Sequence, residues 1–265
     1  MESVTRDGVT LAYERDGPAD AETVVLVEGL GYGRWMWNWQ RDALADEYDV
    51  IVPDNRGTGD SDAPEGPYTI AEMATDLDAV LEDAGVERAH VVGASMGGMI
   101  AQQYALDFDR TVSLGLLCTS PGGDAATPTP NETQKRMFEV PEGLDDREQI
   151  RYKMGPAMTE KLAADDDLLA RIVDWRLDSD APPAARDAQA AAVAGFDASD
   201  RLGELDVRVL VLHGDDDRVL PVENARALHD RLPESELDVV EGGPHLFFVE
   251  ESEDVNDRLL EFLHG

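Results

Sequence analysis

The segment Gly93-Ala94-Ser95-Met96-Gly97, with Gly98 next, sets one serine between small neighbours. The apolar run His90-Val91-Val92 precedes it, and a stretch with helical spacing follows from Met96 to Phe108. A buried strand, a sharp turn and a helix in that order would lift the Ser95 hydroxyl above the end of a sheet. There it would stand beside a helix N-terminus, whose free N–H groups and dipole favour developing negative charge. This is a setting for attack on a carbonyl carbon.

A hydroxyl is a weak nucleophile and needs a base. Five histidines are available: His90, His213, His229, His245 and His264. His245 is the best placed, in the loop Gly242-Gly243-Pro244-His245 just after the last apolar strand. His90 opens the strand of the nucleophile and His264 sits in the tail, which suits structural or solvated roles. His229 lies in a polar helix, and His213 ends a strand as a hydrogen-bonded loop histidine. The base needs a carboxylate to fix its tautomer and stabilise its cation. The strand Val207–Leu212 runs into His213-Gly214-Asp215-Asp216-Asp217-Arg218-Val219-Leu220-Pro221. One of these three aspartates should face the histidine, and the others should be solvated. The chain order is serine, aspartate, histidine.

The elements that would hold these residues alternate. Strands are expected at Val9–Glu14, Thr23–Glu28, Tyr48–Pro53, His90–Gly93 and Val112–Cys118, with helices at Ile70–Ala84 and Met96–Phe108. Such alternation implies a mostly parallel α/β sheet with helices on its faces. From about Pro121 to Leu205 no apolar strand is visible, and helical stretches centre on Thr133, Asp146, Asp165 and Ala184. Strands resume at Val207–Leu212 and Leu237–Val240, followed by a helix at Val255–Leu263. Residues 1–121 and 204–265 therefore read as a sheet domain, and residues 122–203 as a helical lid inserted into it.

Four segments in this order, VLVEGLGYGRWMW, DNRGTGDSD, VVGASMGG, and HGDDDRVLP with GGPH, resemble the α/β-hydrolase superfamily across nearly the whole chain. The resemblance implies that Asp217, third after Gly214, is the acid. It also implies that the backbone N–H groups of Leu30 and Met96 bind an oxyanion. The family's common His-Gly-x loop is written Glu28-Gly29-Leu30 here. A carboxylate facing the oxyanion would destabilise it, so Glu28 is expected to point aside or to solvent. Asp54 and Arg56 match a family loop with a structural role. Among the residues that flank the catalytic loops, Trp35, Met96 and Phe247 are the best pocket candidates.

The resemblance points to a serine esterase or enol-lactone hydrolase that cleaves an ester, lactone or similar acyl bond of a small-molecule substrate, with no cofactor and no metal. Carbon–carbon bond hydrolases and cofactor-free haloperoxidase-like perhydrolases use the same triad. A ligand-binding sensor that retains the triad is an alternative of another class. A dinucleotide site is disfavoured, because Gly29-x-Gly31-x-x-Arg34 lacks the third glycine. The aspartate runs at 165–167 and 215–217 read as solvated charge; the first lacks the ligand spacing of a calcium loop.

Acidic residues number 57 against 22 basic ones, for a net charge of −35, and only Lys135, Lys153 and Lys161 are lysines. The excess is spread along the chain. It argues against nucleic acid and anionic membranes as partners, and it resembles the proteins of salt-accumulating halophiles. No apolar run reaches the length of a membrane span. The N-terminus lacks a secretory pattern, and Cys118 has no second cysteine to pair with, so the cytoplasm is the expected compartment. The charge has a measurable consequence. Screening lengths fall from about 30 Å at 0.01 M salt to about 3 Å at 1 M, so repulsion among surface carboxylates weakens as salt rises. The melting temperature should be higher in molar KCl than in dilute buffer; equal values in the two would refute salt adaptation.

Overall fold

The apolar runs form one eight-stranded sheet in the computed structural model, which describes residues 1–265. The strands are β1 (Glu2–Arg6), β2 (Val9–Asp16), β3 (Thr23–Val27), β4 (Asp49–Pro53), β5 (Ala89–Ala94), β6 (Thr111–Leu117), β7 (Arg208–Gly214) and β8 (Ser235–Val240). Their spatial order is β1-β2-β4-β3-β5-β6-β7-β8. The first two strands pair antiparallel, as do β2 and β4, and every later neighbour pair is parallel. Parallel neighbours need crossovers, and these place helices on both faces.

Central strands buried on both faces read as continuous apolar runs, and β3, TVVLV, is buried at every position. Alternation of side chains divides it between two cores. Val25, Val27 and Val91 belong to one core, with α2 (Ile70–Asp83) and α3 (Met96–Asp107). Val24, Leu26 and Val92 belong to the other, with α1 (Asn38–Leu44) and the final helix over Ser252–Leu263. The start of α2 is set by a capping box, in which Thr69 accepts from the Glu72 N–H and Glu72 accepts from the Thr69 N–H.

Between β6 and β7 the chain forms five α-helices: α4 (Asn131–Phe138), α5 (Asp146–Met154), α6 (Glu160–Ala164), α7 (Asp166–Ser179) and α8 (Pro183–Ala194). The two ends of this helical segment meet at its base. Gly122 bridges Asp197, the Gly123 N–H donates to the Phe196 carbonyl, and the Ala198 N–H donates to the Pro121 carbonyl. Asp165, expected inside a helix, instead caps α7 by accepting from the Leu168 N–H. After β7 come α9 (Glu223–His229), α10 (Phe247–Glu250) and α11 (Ser252–Leu263). No helix is long and apolar enough to cross a membrane.

The turn from β5 into α3 depends on missing side chains. A Cβ at Gly97 would lie 2.0 Å from the Val27 carbonyl oxygen, and one at Gly93 would lie 2.2 Å from the Gly97 carbonyl oxygen. Both obstacles are backbone within a packed core, so they have little room to give. Gly97→Ala should therefore lower stability by about 2 kcal/mol or more, seen as a reduced melting temperature; an unchanged value would show that β3 and α3 can part.

Candidate active site

Ser95 occupies the turn between β5 and α3 with φ 56° and ψ −120°. A non-glycine residue with positive φ is strained, and the strain must be held by its surroundings. Here the Ser95 N–H donates to the Leu117 carbonyl at 2.9 Å, and the Thr119 hydroxyl donates to the Ser95 carbonyl at 2.7 Å. Ser95 lines a cavity of about 310 Å³ at the C-terminal ends of the strands. His245, Leu30 and Met96 line the same cavity. No protein acceptor engages the backbone N–H of Leu30 or of Met96, which leaves both available to a ligand.

Asp217 follows β7 and is buried, whereas Asp215 and Asp216 are exposed. Its Oδ2 accepts from His245 Nδ1 at 2.7 Å. Its Oδ1 accepts from the Val219 and Leu220 N–H groups at 2.8 and 2.9 Å. Burial alone would raise its pKa. The His245 charge and the bonds from His213 and His245 outweigh burial and hold the carboxyl well below the usual carboxylate range. An ionised Asp217 can only accept, so His245 Nδ1 carries a proton, and in the neutral ring the lone pair is on Nε2. Asp215 serves elsewhere, accepting from the Gly242 N–H at 2.6 Å. His213 is fully buried. Its Nε2 donates to the Leu220 carbonyl at 2.7 Å and lies 3.2 Å from Asp217 Oδ2. The structure thus gives this loop histidine a contact with the acid that spacing alone did not suggest.

Glu28 turns aside, as expected, but not to solvent: it is completely buried. Its Oε2 accepts from the Asn55 N–H and the Thr58 hydroxyl at 3.2 and 3.0 Å. Burial, and then the neighbouring Asp54 charge, push its pKa well up. Glu28 Oε1 and Asp54 Oδ1 are both buried without another partner, and a proton held by Glu28 and donated to Asp54 satisfies both. Burial raises the pKa of Asp54 too, but its ion pair with Arg34 and the bond from the Asp60 N–H favour its charged form over that of Glu28. Arg56 forms a two-pronged bond to Asp76, at 2.6 and 2.9 Å. These residues brace the loops beside the cavity.

Two expected pocket residues lie elsewhere. Trp35 is buried outside the cavity; its Nε1 donates to Asp180 at 3.1 Å, and its ring stacks on Trp175. Phe247 is fully buried against Phe248. Their chain neighbours Met36 and Phe248 line the cavity instead. Both pairs lie in helical turns, where adjacent residues point about 100–120° apart, so an aromatic cluster does not reveal which member faces inward. Sequence reasoning also passed over Gln189. This fully buried side chain accepts from the Gly31 N–H at 2.7 Å and donates to the Arg56 carbonyl at 2.9 Å. The Ala181 N–H donates to the Gly31 carbonyl. The helical segment therefore fixes the backbone next to Leu30. A lone glutamine within the alanine-rich run of α8 was the available signal.

A family model described as the alpha/beta hydrolase fold matches residues 22–252, and the chain belongs to this family. It is 32% identical over 275 residues to a protein from Caulobacter segnis named carbamate hydrolase RutD, with both chains fully covered. A hydrolase structure from Pseudomonas aeruginosa PA01 superposes with a TM-score of 0.87 at 27% identity, covering 100% of this chain and 98% of the other. A thermophilic esterase from Thermogutta terrifontis gives a TM-score of 0.82 at 30% identity, with the same coverage.

The buried acid pair has a pH signature. Burial and the Asp54 charge favour a neutral Glu28 in the fold, whereas it ionises near its ordinary 4.5 in the unfolded chain. The folded chain then binds the extra proton, so this group's contribution to stability falls as pH rises above that value. In Glu28→Gln an amide donates to Asp54 in place of the proton, and the dependence disappears. The melting temperature of Glu28→Gln relative to the wild type should climb between pH 5 and 8 (approximate bounds set by the unfolded group); a constant difference would mean that Glu28 is ionised.

Proposed function

We propose that the protein hydrolyses an ester, lactone or related acyl bond through Ser95, His245 and Asp217. The observation that carries this reading is the 2.7 Å bond from His245 Nδ1 to a buried Asp217, which leaves Nε2 free on the cavity wall that also holds Ser95. Ser95 Oγ attacks the carbonyl carbon while His245 Nε2 takes its proton. Asp217 holds the imidazole in that tautomer and stabilises the cation. The oxyanion lies between the N–H groups of Leu30 and Met96, where fixed donors stabilise charge that develops only in the transition state. His245 then protonates the leaving group, and water releases the acyl group by the same steps in reverse order of partners. None of these steps calls for a cofactor.

The cavity is at the small end of ligand sites and largely apolar, which suits small to medium acyl substrates. The segment 122–203 acts as a lid, since its helices supply part of the cavity wall. A carbamate carbonyl is open to the same attack, in keeping with the relatives that carry that name. The surface charge fits a protein working in a salty cytoplasm.

p-Nitrophenyl butyrate in molar KCl should be turned over steadily. Ser95→Ala and Asp217→Asn should each cut kcat by about a thousandfold or more while remaining folded. Asp215→Asn and Asp216→Asn should stay within a few-fold of wild type, because exposed charges contribute weakly. A fluorophosphonate should label wild type at Ser95. Unchanged turnover in Ser95→Ala would overturn the hydrolase reading, and tight binding without turnover would favour a sensor.

A further inference from the structure

Three cations of the helical segment line the cavity that holds Ser95: Lys153 on α5, Arg176 on α7 and Arg186 on α8. In a chain of net charge −35, most arginines lie within 4.0 Å of a carboxylate, and Arg176 follows that pattern. It donates to Asp180 at 2.7 Å and covers the Tyr32 ring at 4.3 Å. Arg186 and Lys153 have no carboxylate in that range, although acidic residues are plentiful. The Arg186 guanidinium reaches only the Met137 carbonyl, at 3.4 Å, and the Phe138 ring, at 5.5 Å. Its stem lies over Gly31, within 3.4 Å of where a Cβ there would stand. That places it beside the loop that carries the Leu30 N–H.

Arg176 is buried, and Arg186 and Lys153 are partly buried. Burial and the neighbouring Arg176 lower the pKa of Arg186; burial, Arg186 and Arg176 lower that of Lys153. Like charges gathered beside an apolar wall are costly unless an anion joins them. The wall here is formed mainly by apolar side chains such as Met96, Met137, Val193 and Phe248. The carboxylate missing from the protein is one a ligand can bring.

We propose that the substrate is an acyl compound bearing a carboxylate several bonds from the scissile carbonyl, with Arg186 and Lys153 holding that carboxylate while the apolar wall covers the carbon chain between. This assignment rests on the hydrolase reading of Ser95. Arg186, as a planar fork, suits a carboxylate geometrically, and Lys153 adds a point charge. Asp180 hydrogen-bonds Arg176 and, like Asp187, acts on Arg186 only from beyond 4.0 Å, so neither occupies the donors of Arg186.

The test compares mono-p-nitrophenyl adipate with its methyl ester, which keeps the chain between the two carbonyls and carries no charge, at fixed molar KCl. Wild type should show the higher kcat/KM on the free acid. Arg186→Gln and Lys153→Gln should each lower the acid-to-ester ratio of kcat/KM by about tenfold or more, and Arg186→Lys should recover part of it. A wild type that favours the methyl ester, or variants that leave the ratio unchanged, would overturn the proposal while leaving the hydrolase reading intact. Failure of the hydrolase reading would show separately, as undiminished turnover in Ser95→Ala. Binding gives a readout independent of turnover. By calorimetry, monomethyl adipate should bind Ser95→Ala protein and lose about tenfold or more in affinity when Arg186→Gln is added; equal affinities would reject the anion site.

Discussion

A buried negative charge on Asp217 is the constraint around which the site is arranged. An ionised carboxylate without solvent is tolerated only where donors surround it. Three donate to Asp217, two backbone N–H groups from the loop it begins and His245 Nδ1, and His213 Nε2, which donates to the Leu220 carbonyl, lies 3.2 Å from its Oδ2. Each donor fixes something else. The backbone pair curls residues 217–220 into a tight turn. His213 ties that turn to the end of β7 through the Leu220 carbonyl. The bond to His245 settles which imidazole nitrogen is free. The parallel pairing of β7 with β8, with Val240 opposite Gly214, brings the two loops together. Gly214 and Gly243 make the approach possible, since a Cβ on Gly214 would fall 2.0 Å from the Gly243 carbonyl oxygen.

The opposite wall depends on the helical segment as much as on the sheet. Gly31 has φ 74° and both of its backbone polar groups are engaged from that segment, by Gln189 and Ala181. Gln189 also donates to the Arg56 carbonyl, so one side chain ties α8 to the loop after β3 and the loop after β4. Displacing the helices would release the backbone next to Leu30 as well as opening the cavity. Access and the geometry of the proposed oxyanion site are therefore coupled through one buried amide.

Seven of the eight strands were legible, the central ones because buried parallel strands are continuous apolar runs, and their limits in the structure lie within about two residues of those read from sequence; β1, a largely exposed edge strand, has no such run and was not delimited. Ser95 and His245 stood out as candidates because glycine-lined turns after strands are rare settings for reactive side chains, and both line one cavity in the structure. Asp217 was not separable from Asp215 and Asp216 by residue type; the fold decides, by burying only one of the three. Trp35 and Phe247 show the limit of local reasoning, since a shift of one residue along a helical turn exchanges cavity for core. The short helices α1, α6, α9 and α10 lack the several turns that make a period visible. Gln189, Arg186 and Lys153 are distant in sequence from the glycine-marked loops. Their positions depend on how the helices fold back over the sheet, which no local pattern encodes.

Glu28 illustrates how a residue that looks hostile to the chemistry becomes compatible with it. An ionised carboxylate beside an oxyanion would oppose catalysis, but burial and the charge on Asp54 disfavour ionisation. Neutral Glu28 can donate one hydrogen bond and accept others, and it uses them on Asp54, Asn55 and Thr58, away from the cavity. Electrostatics then separate by distance. The exposed acids repel anions at long range, an effect confined to a few ångströms in molar salt. The cations that line the cavity are Arg186, Lys153 and the paired Arg176, and burial shields Arg176 and much of Arg186 from solvent screening. In concentrated salt the surface would cease to exclude the proposed anionic substrate while the cations of the cavity would still attract it, so a strongly acidic exterior is compatible with the proposed carboxylate site under the same conditions.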